Sequence, residues 1–291
     1  MGYRATMMHI TSRLIPRRRR CGRLLPVLAA AFTSLVFSLD AAAQARLFVH
    51  PTLVMLSNTH RSESVHIVNQ GNATGVFELA WVDFAMTPQG GLSPWDGKAP
   101  WSLQPFARFS PRRVTLRPGE TQLVRLALRA PGDAAGGEYY SHLRVVTLND
   151  DLDAATAANE ANKRETVTID ARTAIAVPVI WRNSAAEPRA TIESVEFHSA
   201  RKELIVDLRR SGELSTRGYL HVLGAAGRGM ESRPLADPVP VVIYPSAEQR
   251  IVTVPLKATE VDLSAGAEVI YASDIEITST TVRYAIYSIR R

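Results

Sequence analysis

Apolar and polar residues alternate along most of this chain, and a period of two predicts β-strands because neighbouring side chains of a strand point to opposite faces. Turn-forming groups such as Gln70–Asn72 and Arg117–Gly119 separate the alternating runs. Strands of this number and spacing are typical of an immunoglobulin-like β-sandwich. Seven are predicted in the first half: Leu47–Leu56, Glu63–Asn69, Val76–Phe84, Arg113–Leu116, Thr121–Arg129, Glu138–Leu148 and Thr166–Arg182.

A second set of alternating runs follows the short linker Asn183–Pro188. The pattern therefore predicts an all-β protein with two immunoglobulin-like sandwiches, joined at an angle, over residues 46–183 and 184–291. The second set comprises Thr191–His198, Glu203–Arg210, Gly218–Leu223, Val239–Tyr244, Arg250–Leu256, Glu268–Ser273 and Thr281–Ile289.

The run Thr166–Arg182 is unusually long for a strand, at roughly 50 Å if it is extended throughout. Pro178 lies within it, and a proline is found at a sheet edge or a bulge because it has no N–H to donate. An apolar edge strand of this kind tends to pair with a strand of another chain. One face carries Val167, Ile169, Ala171, Thr173, Ile175, Val177, Val179 and Trp181.

Residues 1–45 have the organisation of an export signal. Seven arginines precede an apolar stretch from Leu24 to Leu39, and Ala43–Ala45 forms a small-residue cleavage site. A membrane anchor is the alternative, but the apolar stretch is short for a span. We expect cleavage and export.

The basic charge of the chain belongs to this leader. The full chain has 34 Lys and Arg against 28 Asp and Glu. Without residues 1–45, which hold seven arginines and Asp40, 27 basic and 27 acidic residues are left. This balance gives no support to nucleic-acid binding. Cys21, the single cysteine, also lies in the leader, so neither a disulfide nor thiol chemistry is expected after cleavage.

The exported part shows no catalytic motif, and we expect no enzyme activity, no metal site and no cofactor. The histidines lie at no spacing typical of metal ligands; they are His50, His60, His66, His142, His198 and His221. The polar, alanine-rich segment Asp150–Lys163 is predicted to be a mobile loop between two strands.

Four segments carry a likeness to a known family: Leu47–Gln70, Phe109–Leu128, Gly137–Val145 and Ile175–Arg182. Together they resemble the PapD-like family of periplasmic chaperones for pilus and fimbrial subunits. Leu47–Gln70 resembles the first two strands of that family, and Phe109–Leu128 resembles its pattern of proline, apolar pair, Pro-Gly, Gln and Arg. Gly137–Val145 and Ile175–Arg182 resemble its sixth and seventh strands. The likeness covers the first domain well and the second only in strand count.

The resemblance implies a periplasmic protein of a Gram-negative bacterium that lends its seventh strand to a pilin subunit lacking one strand, and then delivers the subunit to an outer-membrane usher. It implies that alternate apolar side chains of this strand fill the subunit groove. These would be Ile169, Ala171, Thr173, Ile175, Val177 and Val179. While free, such a protein is expected to self-associate or to cover the strand, because a bare apolar edge invites pairing.

The resemblance fails at one pair of positions and holds at another. Thr52 and Pro178 occupy the positions where the family has a basic pair that anchors the subunit carboxylate, and neither is basic. Glu138 and Arg182 match an acidic and a basic position, and an ion pair between them would fix the domain junction. The departures at Thr52 and Pro178 imply that the chain resembles a divergent branch of the family.

Two other classes stay open at the level of sequence. One is a periplasmic or cell-surface adhesion or structural module, built from two sandwiches, that pairs its edge strand internally. The other is a carbohydrate-binding protein that uses Trp95, Trp101 and Phe106 as an aromatic cluster.

Overall fold

The computed structural model describes residues 44–148, 173–224, 233–257, 266–278 and 280–289. Every regular element in these ranges is a β-strand, which confirms the all-β class and the two sandwiches. The first sandwich contains β1 (Leu47–His50), β2 (Val54–Ser57), β3 (Ser62–Asn69), β4 (Gly75–Val82), β5 (Phe84–Met86), β6 (Leu92–Pro94), β7 (Ala107–Ser110), β8 (Arg113–Leu116), β9 (Thr121–Leu128), β10 (Gly137–Leu148) and β11 (Ala174–Asn183).

Two sheets face each other in the first sandwich. One has the order β1-β3-β9-β7 and the other β2-β11-β10-β4-β8. Alternate residues of both sheets point inward and are removed from water, which is the main favourable contribution to folding. The largest side chains of this core are Trp181, Phe77, Leu56, Ile67, Leu103, Leu126 and Leu143.

The predicted strand Leu47–Leu56 is wrong as a single element, because the chain changes sheets within it. β1 pairs antiparallel with β3, whereas β2 pairs parallel with β11 in the opposite sheet. Pro51 lies between the two strands, where no ladder requires its missing N–H. Sequence alternation also missed the β5–β6 hairpin and β7, since three or four residues are too few for a period to be recognised.

The second sandwich contains seven strands, each within a few residues of its predicted position. The orders are β12-β13-β16 in one sheet and β15-β14-β17-β18 in the other. The strands are β12 (Arg189–His198), β13 (Glu203–Ser211), β14 (Thr216–Gly224), β15 (Val239–Ile243), β16 (Gln249–Pro255), β17 (Ala267–Ala272) and β18 (Arg283–Ile289).

Strands β10 and β11 contribute to both cores. Their odd-numbered residues, including Leu143 and Trp181, lie in the core of the first sandwich. Even-numbered Tyr140 and Ile180 are buried in the core of the second sandwich. The hydroxyl of Tyr140 donates to the carbonyl of Phe84 at 2.7 Å and contacts the Ser246 hydroxyl at 2.6 Å. The C-terminal half of β11 is therefore packed on both faces, by the first core on one side and by the second core on the other.

Candidate binding site at the free edge of β11

Strand β11 has a partner along all of one side and along four of its ten residues on the other. β10 pairs with it from Ala174 to Asn183. On the other side β2 pairs with Val179–Arg182 only. Among the described residues, no strand faces Ala174–Pro178 on that second side. These five residues, hereafter the free edge, form an unpaired strand segment of the kind to which another chain can add a strand.

The direction of the main-chain groups follows from the register. Thr147 N–H donates to Thr173 O at 3.0 Å just beyond the paired strands, so this residue pair is a hydrogen-bonded one. Because hydrogen-bonded and non-bonded pairs alternate in an antiparallel ladder, Ile175 and Val177 exchange bonds with β10. Ala174 and Ala176 therefore direct their N–H and C=O groups away from β10, towards the free edge.

Pro178 lies at the end of the free edge, and its ring replaces an N–H that would point away from β10. It faces His142 across the ladder and directly precedes Val179, where the pairing with β2 begins. The position agrees with the expectation that this proline lies at an edge. Proline here limits the free edge to main-chain groups on its N-terminal side.

The predicted groove-filling face is divided between two environments. Val177 and Val179 are 2% and 0% exposed and belong to the core of the first sandwich. Ile175 is half-buried against that core, and Thr173 is exposed. Ile169 and Ala171 lie outside the described residues. Val177 and Val179 are therefore already buried in the free protein, because their side chains face the core of its own first sandwich.

The two positions matched to the family's basic anchor are close to the junction of the sandwiches. Thr52 is exposed in the segment between β1 and β2, and Pro178 is half-buried opposite His142. His142 lies with its ring centroid 5.8 Å from that of Tyr244 in the second sandwich. Burial raises the pKa of the neighbouring Tyr244, and the charge of Arg217 and a hydrogen bond from it offset part of this rise.

Glu138 and Arg182 meet across the ladder. They are direct cross-strand partners, and Arg182 Nε donates to Glu138 Oε2 at 2.8 Å. The Glu138 side chain is 0% exposed and the Arg182 side chain 33%. Arg182 Nη2 also donates to the Ser215 carbonyl at 3.3 Å. The pair thus connects β10 and β11 to the residue before β14 in the second sandwich.

His142 is buried among aromatic rings where the two sandwiches meet. Phe84 packs edge-on against it at 4.9 Å between ring centroids, and Tyr140 and Tyr244 contact it as well. In the described part of the chain Nδ1 of His142 is buried without a hydrogen-bond partner. Burial lowers the pKa of His142 to about 4, and the charge of Asp83 raises it in part. The histidine is therefore neutral in the folded protein at neutral pH.

This burial predicts a loss of stability in mild acid. An unfolded histidine takes up a proton near pH 6.5, whereas folded His142 does so near pH 4, so the unfolded chain binds more protons between these values. The stabilisation is complete above pH 6.5 and is lost as the pH falls towards 4. Between pH 7 and pH 5 we expect a loss of about 2 kcal/mol in the free energy of unfolding.

Urea unfolding of the wild type and of His142→Phe at both pH values measures this effect. The variant should show a smaller dependence on pH than the wild type, and exposed His198→Gln should behave as the wild type does. Equal pH dependence in the wild type and His142→Phe would show that other groups cause it.

Sequence reasoning missed the aromatic contacts of the junction. Tyr140 and Tyr244 stack with centroids 4.7 Å apart and an interplanar angle of 11°, and Trp101 stacks on Tyr140. The even-numbered positions Tyr140 and His142 of β10 are the one signal in the sequence, since they place aromatic rings on the face opposite the first core.

The three aromatic residues of the carbohydrate-binding alternative do not form one cluster. Trp95 packs edge-on against Trp101 with centroids 5.0 Å apart. Phe106 instead contacts Trp181 and Tyr139 beside the core of the first sandwich. Phe106 thus packs against the core of the first sandwich and Trp101 against that of the second.

Other predicted features fall elsewhere or outside the described ranges. Residues 1–43 of the predicted leader and the predicted loop Asp150–Lys163 lie outside them, as does Thr166–Arg172 of the predicted long strand. Over the described ranges, no helix has the length and apolarity needed to cross a membrane. Within the same ranges, no group of three or more His, Cys, Asp or Glu side chains could hold a metal ion.

No family model and no curated protein matches the chain. Solved structures similar to it include the chaperone CsuC in a pre-assembly complex with the tip adhesion subunit CsuE, from the archaic chaperone-usher Csu pili of Acinetobacter baumannii. The identity is 11%, the TM-score is 0.46, and the match covers 84% of this chain and 99% of that one.

Two further similar structures are of the same kind. The class 5 fimbriae chaperone CfaA has 12% identity and a TM-score of 0.42, with 84% of this chain and 98% of that chain covered. The SafB chaperone in complex with the SafA pilin of Salmonella enterica has 11% identity and a TM-score of 0.40, with the same coverage of 84% and 98%. The strand motifs of the first domain resemble this class of protein.

Proposed function

We propose that this protein is a periplasmic chaperone that binds pilus or fimbrial subunits through β11 and delivers them to an outer-membrane usher. The observation that carries the proposal is the free edge Ala174–Pro178, where β11 has β10 on one side and, among the described residues, no strand on the other. A subunit that lacks one strand of its sandwich would complete its sheet at this edge.

Main-chain bonds at the free edge would provide part of the affinity. The outward N–H and C=O groups of Ala174 and Ala176 are the ones that an incoming strand can meet, and β2 excludes such a strand from Val179 onwards. In strand addition the main-chain bonds give affinity, and pockets for alternate side chains give specificity.

The side chains that fill the subunit groove would come from the N-terminal part of the proposed donor strand. Val177 and Val179 are occupied in the first core, which leaves Ile169, Ala171, Thr173 and Ile175 for this role. Each large aliphatic side chain that becomes fully buried in a groove contributes about 1.5–3 kcal/mol.

Two consequences follow from the same proposal. Since Thr52 and Pro178 carry no charge, the subunit carboxylate would not be anchored by a basic pair at these positions, and binding would depend more on the strand ladder. The free edge would also promote self-association in the absence of subunit, because both processes use the same main-chain groups.

Replacing Ala176 by proline tests the ladder directly. The substitution removes one N–H that points to the free edge and leaves the bonds between β10 and β11 in place. We expect the affinity for subunit to fall by about tenfold or more, because an acceptor of the subunit strand loses its donor. The measurement is the dissociation constant of a co-purified chaperone–subunit complex, together with urea unfolding of the free chaperone.

Thr115→Pro on β8, the strand at the other edge of the same sheet, is the matched control. Leu79 N–H donates to Arg112 O, and by alternation the N–H of Thr115 points away from β4. This variant should bind subunit as the wild type does. If Ala176→Pro and Thr115→Pro bind equally well while both stay folded, the free edge of β11 is not the binding site.

A further inference from the structure

Two histidines that are far apart in the sequence lie side by side on the outer face of the sheet β1-β3-β9-β7. His50 ends β1, and His66 is its direct cross-strand partner on β3. Both side chains are exposed, whereas their neighbours Val49 and Ile67 point into the core. The two imidazoles therefore project from the same face of neighbouring strands.

The register fixes the spacing of the pair. Gln70 N–H donates to Arg46 O at 2.7 Å, and counting along the ladder by twos makes His50 and His66 a hydrogen-bonded pair as well. Cα atoms of such a pair are about 5.5 Å apart, and the Cβ atoms are at a similar separation. Side chains of this length can converge on one atom above the sheet.

Both rings are available to a ligand. In the described part of the chain neither imidazole makes a hydrogen bond, an ion pair or a ring contact. The remaining exposed histidine of the first sandwich, His60, differs in this respect because its Nε2 lies 3.0 Å from Glu63 Oε2.

We propose that His50 and His66 form a two-imidazole site for a late first-row divalent cation of the Cu²⁺ and Zn²⁺ class. Imidazole nitrogen is a preferred ligand of both ions, and a Zn–N distance is about 2.0–2.1 Å, which two converging rings can supply. The described residues offer no third His, Cys, Asp or Glu at this place. Water would complete the coordination, so the affinity is moderate and Cu²⁺ binds more tightly than Zn²⁺.

Such an ion would connect the edge strand β1 to the body of the sheet. β1 lies at the end of its sheet and pairs there with β3 alone. An ion held by His50 and His66 bridges these two strands. Since the ion binds the folded arrangement and the unfolded chain has no such pair, metal raises the apparent stability by mass action.

Calorimetric titration of the exported protein, prepared without a histidine tag, with CuCl₂ and separately with ZnCl₂ tests the site. We expect one equivalent of either ion to bind. His50→Gln and His66→Gln should each weaken binding by more than about tenfold, because each removes one of two protein ligands. His60→Gln and His198→Gln are the controls, and they should bind as the wild type does.

A second measurement separates loss of the site from loss of the fold. Both histidines are exposed, so the glutamine variants should have the wild-type melting temperature without metal. Added Cu²⁺ should raise the melting temperature of the wild type and leave the double variant His50→Gln/His66→Gln unchanged. Equal binding by the wild type and the double variant overturns the proposal, as does a loss of binding in His60→Gln alone.

Discussion

Replacing Val177 by aspartate is expected to unfold the first sandwich. Val177 is 2% exposed, faces the core and pairs with Leu143 of β10. A carboxylate at this position would be buried without a partner, and the cost is about 4 kcal/mol or more, a large part of the stability of a typical domain. Circular dichroism and urea unfolding of the purified variant measure the loss.

Ala176→Asp is the matched control, one residue earlier on the same strand. Its side chain is exposed on the opposite face, so a charge there stays in water and the variant should unfold near the wild-type urea concentration. If Val177→Asp is as stable as Ala176→Asp, the odd-numbered face of β11 does not fill the first core, and the division of the predicted groove-filling face must be abandoned.

Alternation of apolar and polar residues located most strands, but it did not show which sheet a strand joins or which of its faces packs against the core. A period of two shows that Val177 and Ala176 face opposite ways, but it does not show which face packs against the chain's own second sheet. The same limit explains the split of Leu47–Leu56. β1 and β2 have similar apolar alternation, and their assignment to different sheets depends on β3 and β11, which lie far along the chain.

The extent of the free edge is also a long-range property. Pro178 indicated an edge, but the edge ends where Val54 pairs with Val179. Val54 lies near the start of the domain's sequence and Val179 near its end. Sequence analysis missed the pair His50 and His66 for a related reason. Fifteen residues lie between them in the sequence, and only the register of β1 against β3 brings them opposite each other.

Contacts between the two sandwiches could not be derived from either half alone. The stack of Tyr140 on Tyr244 and the contact of Tyr140 with Ser246 join residues more than one hundred positions apart. Glu138 and Arg182 were found because the family resemblance aligned both positions at strand ends. The ladder between β10 and β11 then places them opposite each other.

Replacing Arg182 by alanine is expected to destabilise the protein by about 3 kcal/mol, because it leaves a buried charge without its partner. The Glu138 side chain is 0% exposed, and its Oε1 has no hydrogen-bond partner in the described ranges, so Arg182 Nε is its main contact. Arg210 is near enough to be influenced by the charge of Glu138 and moderates the loss. Urea unfolding gives the free energy.

A double-mutant cycle shows whether the buried charge is the cause. Glu138→Gln should cost less than Arg182→Ala, since it leaves the one-third-exposed Arg182 side chain in contact with water. Combining Glu138→Gln with Arg182→Ala should recover part of the loss, because no carboxylate is then left in the interior. Additive losses in the double variant would mean that the two side chains act independently. The position of Arg182 against the Ser215 carbonyl would then be the feature that stabilises the contact between the sandwiches.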